Sequence, residues 1–441
     1  MTLPEVAQAA MQKPAPGSKI KAIAIHFEDQ AESQFDELAT AFALRQSKTR
    51  ERLANLNELP YIDRRIDTSI GYLSLHQPLI EELTDNLIEQ DNGLESEAFA
   101  AAVLAFSSDN RQWIERAVNG LLANDQCRHG VAFALAWLPR EISTPWLQAF
   151  MRSKDLQHKW LAARSCNLLG LYPGDLLRKL LAREDCREHL PLYTELLSLV
   201  GYLKAADLLP ALLQASEHDN AQIKTAALRS RLLLGDNGAV KPAVEQSLQD
   251  NDSFVALSDW LIRGMPVADA RYYLSRAMQQ AEIGMASKTL AIAGHGDPAL
   301  LSWLLNHVQE AALMPWLGLA FYHLTGVALA DQTGLVITDS ETLDKLLVDD
   351  KPAETGLEED LSLPFPDRDT LLQRWQTLGR AFSEGTRYFL GQPIQPSEQW
   401  YASLRPNRQI LVHNNIAIYR SLYDRRAPYA PFVTAQIVRS Y

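Results

Sequence analysis

The chain has 441 residues, 47% of them hydrophobic, with a formal net charge of −12 and a pI near 5.4. That length and hydrophobic share suffice for a large buried core, while the acidic balance disfavours non-specific binding to phosphate backbones and to anionic membrane surfaces. Cys127, Cys166 and Cys186 form no CxxC pair, and an odd number cannot all pair within the chain, so free thiols in a reducing compartment are expected.

The opening stretch, "MTLPEVAQAAMQKPAPGSKIKAIAIHF", lacks the basic start and apolar core of a secretory signal. No apolar run approaches the ~20 residues of a membrane helix. The reading is therefore a cytoplasmic protein. Residues 1–18, with Pro14, Pro16 and Gly17, form a flexible lead-in. Residues 19–96 form an N-terminal helical region. Within it Phe35, Leu38, Phe42 and Leu53 keep helical spacing, and breaks are expected at Gly71 and Pro78. The β-branched runs "KIKAIAIHF" and "GLVITDS" are the only strand-like stretches, and neither has an evident partner.

Over residues 97–345 a pattern sets in: a Leu-rich helical segment, a Gly or Pro break, a polar turn, then another helix. The breaks fall at Pro139, Gly170, Gly201, Gly235, Gly264, Gly294 and Gly326, 29 to 34 residues apart. That is the period of a helical-hairpin repeat. In "AALRSRLLLGDNGAV" (Ala226 to Val240), Gly235 is placed to supply a left-handed C-cap, and Ala226 and Ala227 to admit a close neighbour. Leu228 and Leu232 before the turn, with Val244 and Leu248 after it, make apolar stripes that one hairpin cannot bury alone. Stacked hairpins must cover them, which predicts an all-α fold, an α-solenoid with a helical C-terminal extension.

Residues 346–369, containing "DDKPAETGLEEDLSLPFPDRD", read as an exposed acidic, Pro-rich linker. Residues 370–441 form a C-terminal helical region carrying Arg405, Arg408, Arg420, Arg425, Arg426 and Arg439, opposite in sign to the linker.

Motifs of several chemistries are missing. There is no GxxxxGK[ST] phosphate loop, no GxGxxG after a strand, no HExxH and no GxSxG. "GHGDPA" at Gly294 has two close glycines without a third. His295, His307 and His323 lie 12 and 16 residues apart, which is no single-helix metal spacing, and read as packing or surface histidines. Trp113, Trp137, Trp146, Trp160, Trp260, Trp303, Trp316, Trp375 and Trp400 are scattered along the helical segments, where hairpin packing is their first role and a binding anchor the second.

The segments "YIDRRIDTSIGYL", "EAFAAAVLAF", "AFALAWLP", "LLGLYPGDLLRKLL", "RSRLLLGDNGAV", "HGDPALLSWLLNHV", "LAFYHLTGVAL", "EDLSLPFPD", "GTRYFLGQPI" and "NRQILVHNNIAIY" follow one another in that order. Their succession resembles an uncharacterised proteobacterial family with HEAT-like repeats whose members are often encoded beside type VI secretion genes. The resemblance runs from about Tyr61 onward, with Phe321–Leu329 and Glu359–Asp367 its most specific pieces. It implies HEAT-like hairpins and a cytoplasmic accessory role near the secretion apparatus. It brings no catalytic, cofactor or metal residues.

The expectation is thus a non-enzymatic protein-binding scaffold with no cofactor. Its partner would be a type VI spike component, an effector or a toxin, so that the chain acts as adaptor or as immunity protein. Acidity suits a basic protein partner, not nucleic acid or membrane. Asp349, Asp350, Glu358, Glu359 and Asp360 are the expected docking residues, because Pro and Gly hold that segment out of the array. The alternative is an enzyme of helical-repeat fold acting on nucleic acid or a small molecule.

Overall fold

The structure, a computed structural model, describes residues 20–337, 339, 360, 362–424 and 426–429. The described residues are helical almost throughout and fall into two compact units. The first holds the chain up to Lys48 together with Leu56–Leu169; the second holds Thr49–Asn55 and the described residues from Gly170 on. The division falls within residues 97–345.

In the first unit α1 (Ile20–Arg50) is followed by α2 (Leu59–Leu73), α3 (Gln77–Gln90), α4 (Glu95–Phe106), α5 (Arg111–Ala123), α6 (Arg128–Trp137), α7 (Arg140–Arg152) and α8 (Leu156–Leu169). The helix α1 takes in the run expected to be β-prone: Ile20–Phe27 is helical, because it continues the helical pattern after it without a break. Phe35, Leu38 and Phe42 are buried on it, whereas Leu53 lies beyond its end. Gly71 sits inside α2, and Pro78 starts α3 at a position where its missing N–H costs nothing.

Every second helix packs on the next but one: α4 on α6, and α6 on α8. The helices α4 and α6 are buried along most of their length, which is why their sequences are largely apolar. Each residue of α4 from Ala98 to Phe106 is buried, as is each of α6 from Gly130 to Trp137. The intervening helices bury one stripe only, such as Trp113, Ile114, Ala117, Val118, Leu121 and Leu122 of α5.

The second unit repeats the scheme. Its helices are α9 (Asp175–Ala182), α10 (Glu184–Glu188), α11 (Leu190–Tyr202), α12 (Leu209–Ala215), α13 (Ala221–Leu233), α14 (Val240–Ser247), α15 (Asn251–Gly264), α16 (Val267–Met278), α17 (Met285–His295), α18 (Pro298–His307) and α19 (Met314–Thr325). They are followed by α20 (Arg368–Leu378), the hairpin of β1 (Tyr388–Phe389) and β2 (Gln392–Pro393), α21 (Glu398–Leu404) and α22 (Ile410–Tyr423). The inner row is α11, α13, α15, α17, α19, each packed on the next. Leu228 and Leu248 are buried in one cluster with Leu232 and Val244 packed against it, as the stripe reading requires.

A bond recurs along the inner rows at a constant offset. Ser165 Oγ donates to Ala132 O (3.2 Å) in the first unit. In the second, Ser230 Oγ donates to Leu197 O (2.8 Å) and His295 Nδ1 meets Ile262 O (3.4 Å). Each pair is 33 residues apart.

The expected turns hold at some positions and shift at others. Pro139 precedes α7, and Gly170 (φ 62°) follows α8. Gly235 (φ 76°) closes a Schellman turn: its N–H bonds Leu232 O (2.9 Å) and the Asp236 N–H bonds Arg231 O (3.0 Å). Gly264 closes α15, so the expected break holds there, whereas Gly201 and Gly294 are the next-to-last residues of α11 and α17 and the turns follow them. There the glycine answers a close neighbour: a Cβ on Gly201 would lie 2.6 Å from Ser230 Cα, and one on Gly294 2.9 Å from the Arg263 guanidinium. The turn after α11 is made by Lys204, at φ 58°, and the turn after α17 by Gly296, at φ 70°.

The chain beyond α20 returns over the C-terminal ends of the inner row. Tyr388 N–H bonds Gly296 O after α17 (2.7 Å). Leu390 and Gly391, the two-residue type I′ corner of the hairpin, bond His323 O (2.7 Å) and Leu324 O (2.8 Å) of α19. Arg387 bonds Arg263 O (3.2 Å) and Met265 O at the end of α15, where Tyr423 Oη also donates to Arg263 O (2.9 Å). Lys204 Nζ bridges Leu233 O of α13 and Ser421 O of α22, and Tyr429 N–H bonds Tyr202 O of α11 (2.9 Å).

Three glycine substitutions separate turn from packing, read by urea denaturation. Gly235→Val should cost about 1 kcal/mol or more, because a β-branched residue is forced to positive φ. Gly201→Ala should cost about 1–3 kcal/mol through overpacking on the Ser230 backbone. Gly264→Ala, whose Cβ would meet only Leu422 at 3.9 Å, should gain up to ~1 kcal/mol of helix propensity. A neutral Gly201→Ala would remove the packing account.

Candidate protein-binding groove

Inner helices packed in a row leave furrows between them wherever the outward residues are small. One such furrow crosses α11, α13 and α15 over a volume of about 450 Å³. Its floor is Ser198, Thr225, Ala226, Ser253 and Ala256, and its rim Thr194, Glu195, Ala221, Gln222, Asp250 and Asp252. The residues fall at i, i+3 and i+4 along each helix, so helical geometry alone brings them to one face.

Hydrogen bonds tie the floor across the helices. Arg229 Nη2 donates to Ser198 Oγ (2.9 Å), joining α13 to α11. Thr225 Oγ1 meets Ser253 Oγ (3.3 Å), joining α13 to α15. Ser253 Oγ also donates to Asp250 Oδ2 (2.9 Å), while Asp250 Oδ1 accepts the Ser253 N–H (2.7 Å) as N-cap of α15. Arg229 is drawn to one end, its guanidinium 5.3 Å from the Tyr202 ring centroid. Glu195, Asp250 and Asp252 line the same furrow as Arg229. Asp252 and Gln222 are exposed.

A second surface depression, of about 730 Å³, lies between α1 and α2 in the first unit. Its charges close on one another, with Arg65 bonded to Glu37 and Arg64 Nε to Pro60 O (3.3 Å).

Of the expected docking residues, Asp349, Asp350, Glu358 and Glu359 lie outside the described residues. Asp360 is described, and its side chain is only 2% exposed. Its Oδ2 accepts Arg52 N–H (3.0 Å) and Nη1 (3.2 Å), and its Oδ1 accepts Ser362 N–H (3.1 Å) and Oγ (2.6 Å). Arg52 in turn lies 5.0 Å over the Trp316 ring. The expectation of an exposed Asp360 is therefore corrected: an Arg from the short Thr49–Asn55 segment takes the carboxylate, which an acidic run read alone does not reveal.

The histidines stay apart in role. His295 and His323 are buried within α17 and α19, whereas His307 is exposed and bonds Trp303 O (2.8 Å). Among the described residues no group of His, Cys, Asp or Glu is arranged to hold a metal. Asp297, beside His295, accepts from Arg271 at both oxygens, Nε donating to Oδ2 and Nη2 to Oδ1. Seven of the tryptophans are buried, and Trp146 and Trp303 are half-buried, so packing describes them better than anchoring. The three cysteines are buried free thiols; burial pushes Cys127 up to about 11 and Cys166 up to about 12. No helix among the described residues is long and apolar enough to cross a membrane. Comparison with protein-family models, curated proteins and solved structures finds no match.

Burial gives the histidines a measurable consequence. Desolvation first, and then the Arg387 charge, lower His295 to about 4; desolvation and Arg263 lower His323 to about 3. Both are neutral when folded and take up protons near 6.5 when unfolded. Their stabilisation is complete above pH 6.5 and is lost as pH falls toward these values. Between pH 6 and 5, stability should fall by about 1 kcal/mol per pH unit for each, and His323→Phe should remove one such share of the slope. An unchanged slope in urea melts across that interval would contradict the burial. Asp360→Ala should cost about 2 kcal/mol, since it strands a partly buried guanidinium; loss below 0.5 kcal/mol would place the pair in solvent.

Proposed function

We propose that the chain is a HEAT-like α-solenoid that binds another protein along the exposed face of its inner helices, without catalysing a reaction. The recurring 33-residue offset of the inner-helix bonds supports the repeat reading, because equivalent side chains meet equivalent carbonyls only when one unit is stacked on the next. The observation that carries the binding reading is the furrow across α11, α13 and α15. Its floor is small and polar where a closed core would be large and apolar, and its rim is acidic.

In this reading the partner is a protein with a basic surface, and the sequence resemblance makes it a type VI secretion component: a spike protein, an effector or a toxin. The chain would then serve as adaptor or immunity protein in the cytoplasm. Complementary charge would raise the association rate more than it strengthens the final complex.

The test is affinity capture from the native bacterium on immobilised wild type and on Ala256→Arg, which fills the floor with a cation. An identified type VI component should be retained by the first and lost from the second, with both proteins melting alike. No such component retained by wild type would end the secretion assignment, and equal retention by both would move binding elsewhere.

A further inference from the structure

His295 ends α17, and His323 lies in the last turn of α19. These are the two helix ends to which the returning hairpin is bonded, through the N–H groups of Tyr388, Leu390 and Gly391. Both imidazoles are buried beneath it. The Arg387 charge acts on His295, and the Phe389 ring centroid lies 4.6 Å from that of His323.

Neither ring is placed to carry a proton. Both ring nitrogens of His323 lack a hydrogen-bond partner. The Asn415 amide facing it from α22 already accepts from Arg263 Nη2 (3.1 Å) and donates to Leu411 O (2.9 Å), so an imidazolium would have to share Asn415 Oδ1 with a guanidinium. Arg263 itself, together with Asp259, faces His323 from α15. His295 Nδ1 meets Ile262 O of α15, and its Nε2 is 3.8 Å from Asp297 Oδ2. Asp297 favours an imidazolium, but both its oxygens accept from Arg271 of α16, which Glu384 also approaches (3.7 Å). A helix C-terminus favours a cation too, though by less than burial opposes one. Desolvation therefore leads in lowering both histidines, to about 4 for His295 and about 3 for His323.

The segment above them can part from the stack without unstacking it. Gly385 (φ 78°) and Gly391 (φ 77°) bound it, and Leu390 at φ 49° is strained, because a branched side chain disfavours positive φ. The helices below are held by far more: every residue of α19 from Trp316 to Thr325 is buried.

We propose that Arg387–Gly391 is an acid-released clasp: protonation of His295 and His323 detaches it from the ends of α17 and α19 while the inner row stays stacked. This goes beyond the binding reading and does not depend on what the chain binds. Opening hydrates both rings, which then titrate near 6.5. The open state binds up to two protons more than the closed one, so its population rises as pH falls below 6.5.

Native-state hydrogen exchange on the full chain tests this, read by mass spectrometry on overlapping peptides and divided by the exchange rate of unstructured peptide at each pH. Protection of the Tyr388, Leu390 and Gly391 amides should fall roughly 50-fold between pH 6 and pH 5 and should hardly respond to low urea. The amides of α13 should stay better protected and lose protection as urea is added, since they open only with the unit. His295→Gln or His323→Phe should each reduce the pH effect to roughly 7-fold, one proton in place of two. His307→Gln, at an exposed histidine, should leave it unchanged. The wild-type comparison of clasp with α13 stands even where a variant folds poorly. Clasp protection that is constant across the interval would overturn the proposal, as would a full pH effect in both buried-histidine variants. Clasp exchange that rises with urea as steeply as that of α13 would overturn it too, because the hairpin would then open only when the whole unit unfolds.

Discussion

Helix C-termini set the central constraint of the second unit. The last turn of each helix leaves backbone carbonyls without an intrahelical partner. Helices stacked in parallel in an inner row end on one side together, so these carbonyls collect along one edge. Water could satisfy them, but here the chain itself returns to do so. Backbone N–H groups of Tyr388, Leu390, Gly391 and Tyr429 and the side chains of Arg387, Lys204 and Tyr423 meet the ends of α11, α13, α15, α17 and α19. Gly296 shows how close the approach is: a Cβ there would fall 2.2 Å from Tyr388 O. A glycine is needed for room as much as for its positive φ.

The polar groups beneath the returning segment are matched to it. Arg263, 4% exposed at its side chain, pairs with Asp259 on its own helix, donates to Asn415 Oδ1 of α22 (3.1 Å), and lies 5.8 Å from the Tyr419 ring centroid. A buried guanidinium is costly unless its bonds are made, and Asn415 of α22 supplies one of them to Arg263. Lys204 acts likewise at the next helix. It adopts a left-handed conformation that a glycine would accept with less strain, and its ammonium reaches the carbonyl ends of two helices at once. Burial lowers that ammonium to about 8.

Much of this was legible in the sequence, and the part that was not has a definite reason. The largely apolar α4 and α6 and the one-sided α5 follow from hydrophobic periodicity, and Gly235 was identified as a C-cap from local pattern alone. Gly201 and Gly294 carry the same letter but sit within helices, each against a neighbour about 30 residues away. A single sequence cannot distinguish a glycine chosen for its φ from one chosen for its missing Cβ. The role of the "GTRYFLGQPI" stretch was also hidden, since its hydrogen bonds go to residues more than 60 positions earlier. The groove left a faint trace: Ser198, Ala226, Ser253 and Ala256 are small residues on otherwise bulky helices, but their shared face depends on how the helices stack. The acidic segment drew attention by its charge density, whereas Asp360 is a structural anchor of the Thr49–Asn55 crossing.

The returning segment also bears on how the chain tolerates change in length. In an open stack, a hairpin can be gained or lost with little consequence beyond its neighbours. Here Arg387, Tyr388, Leu390 and Gly391 address α15, α17 and α19 in succession, four residues matched to three helix ends. An inserted hairpin would carry the later ends about 10 Å away from donors spaced for the present pitch, one full spacing of the inner row. The segment therefore acts as a gauge of helix number, and variation by whole units is confined to the part of the row it does not span.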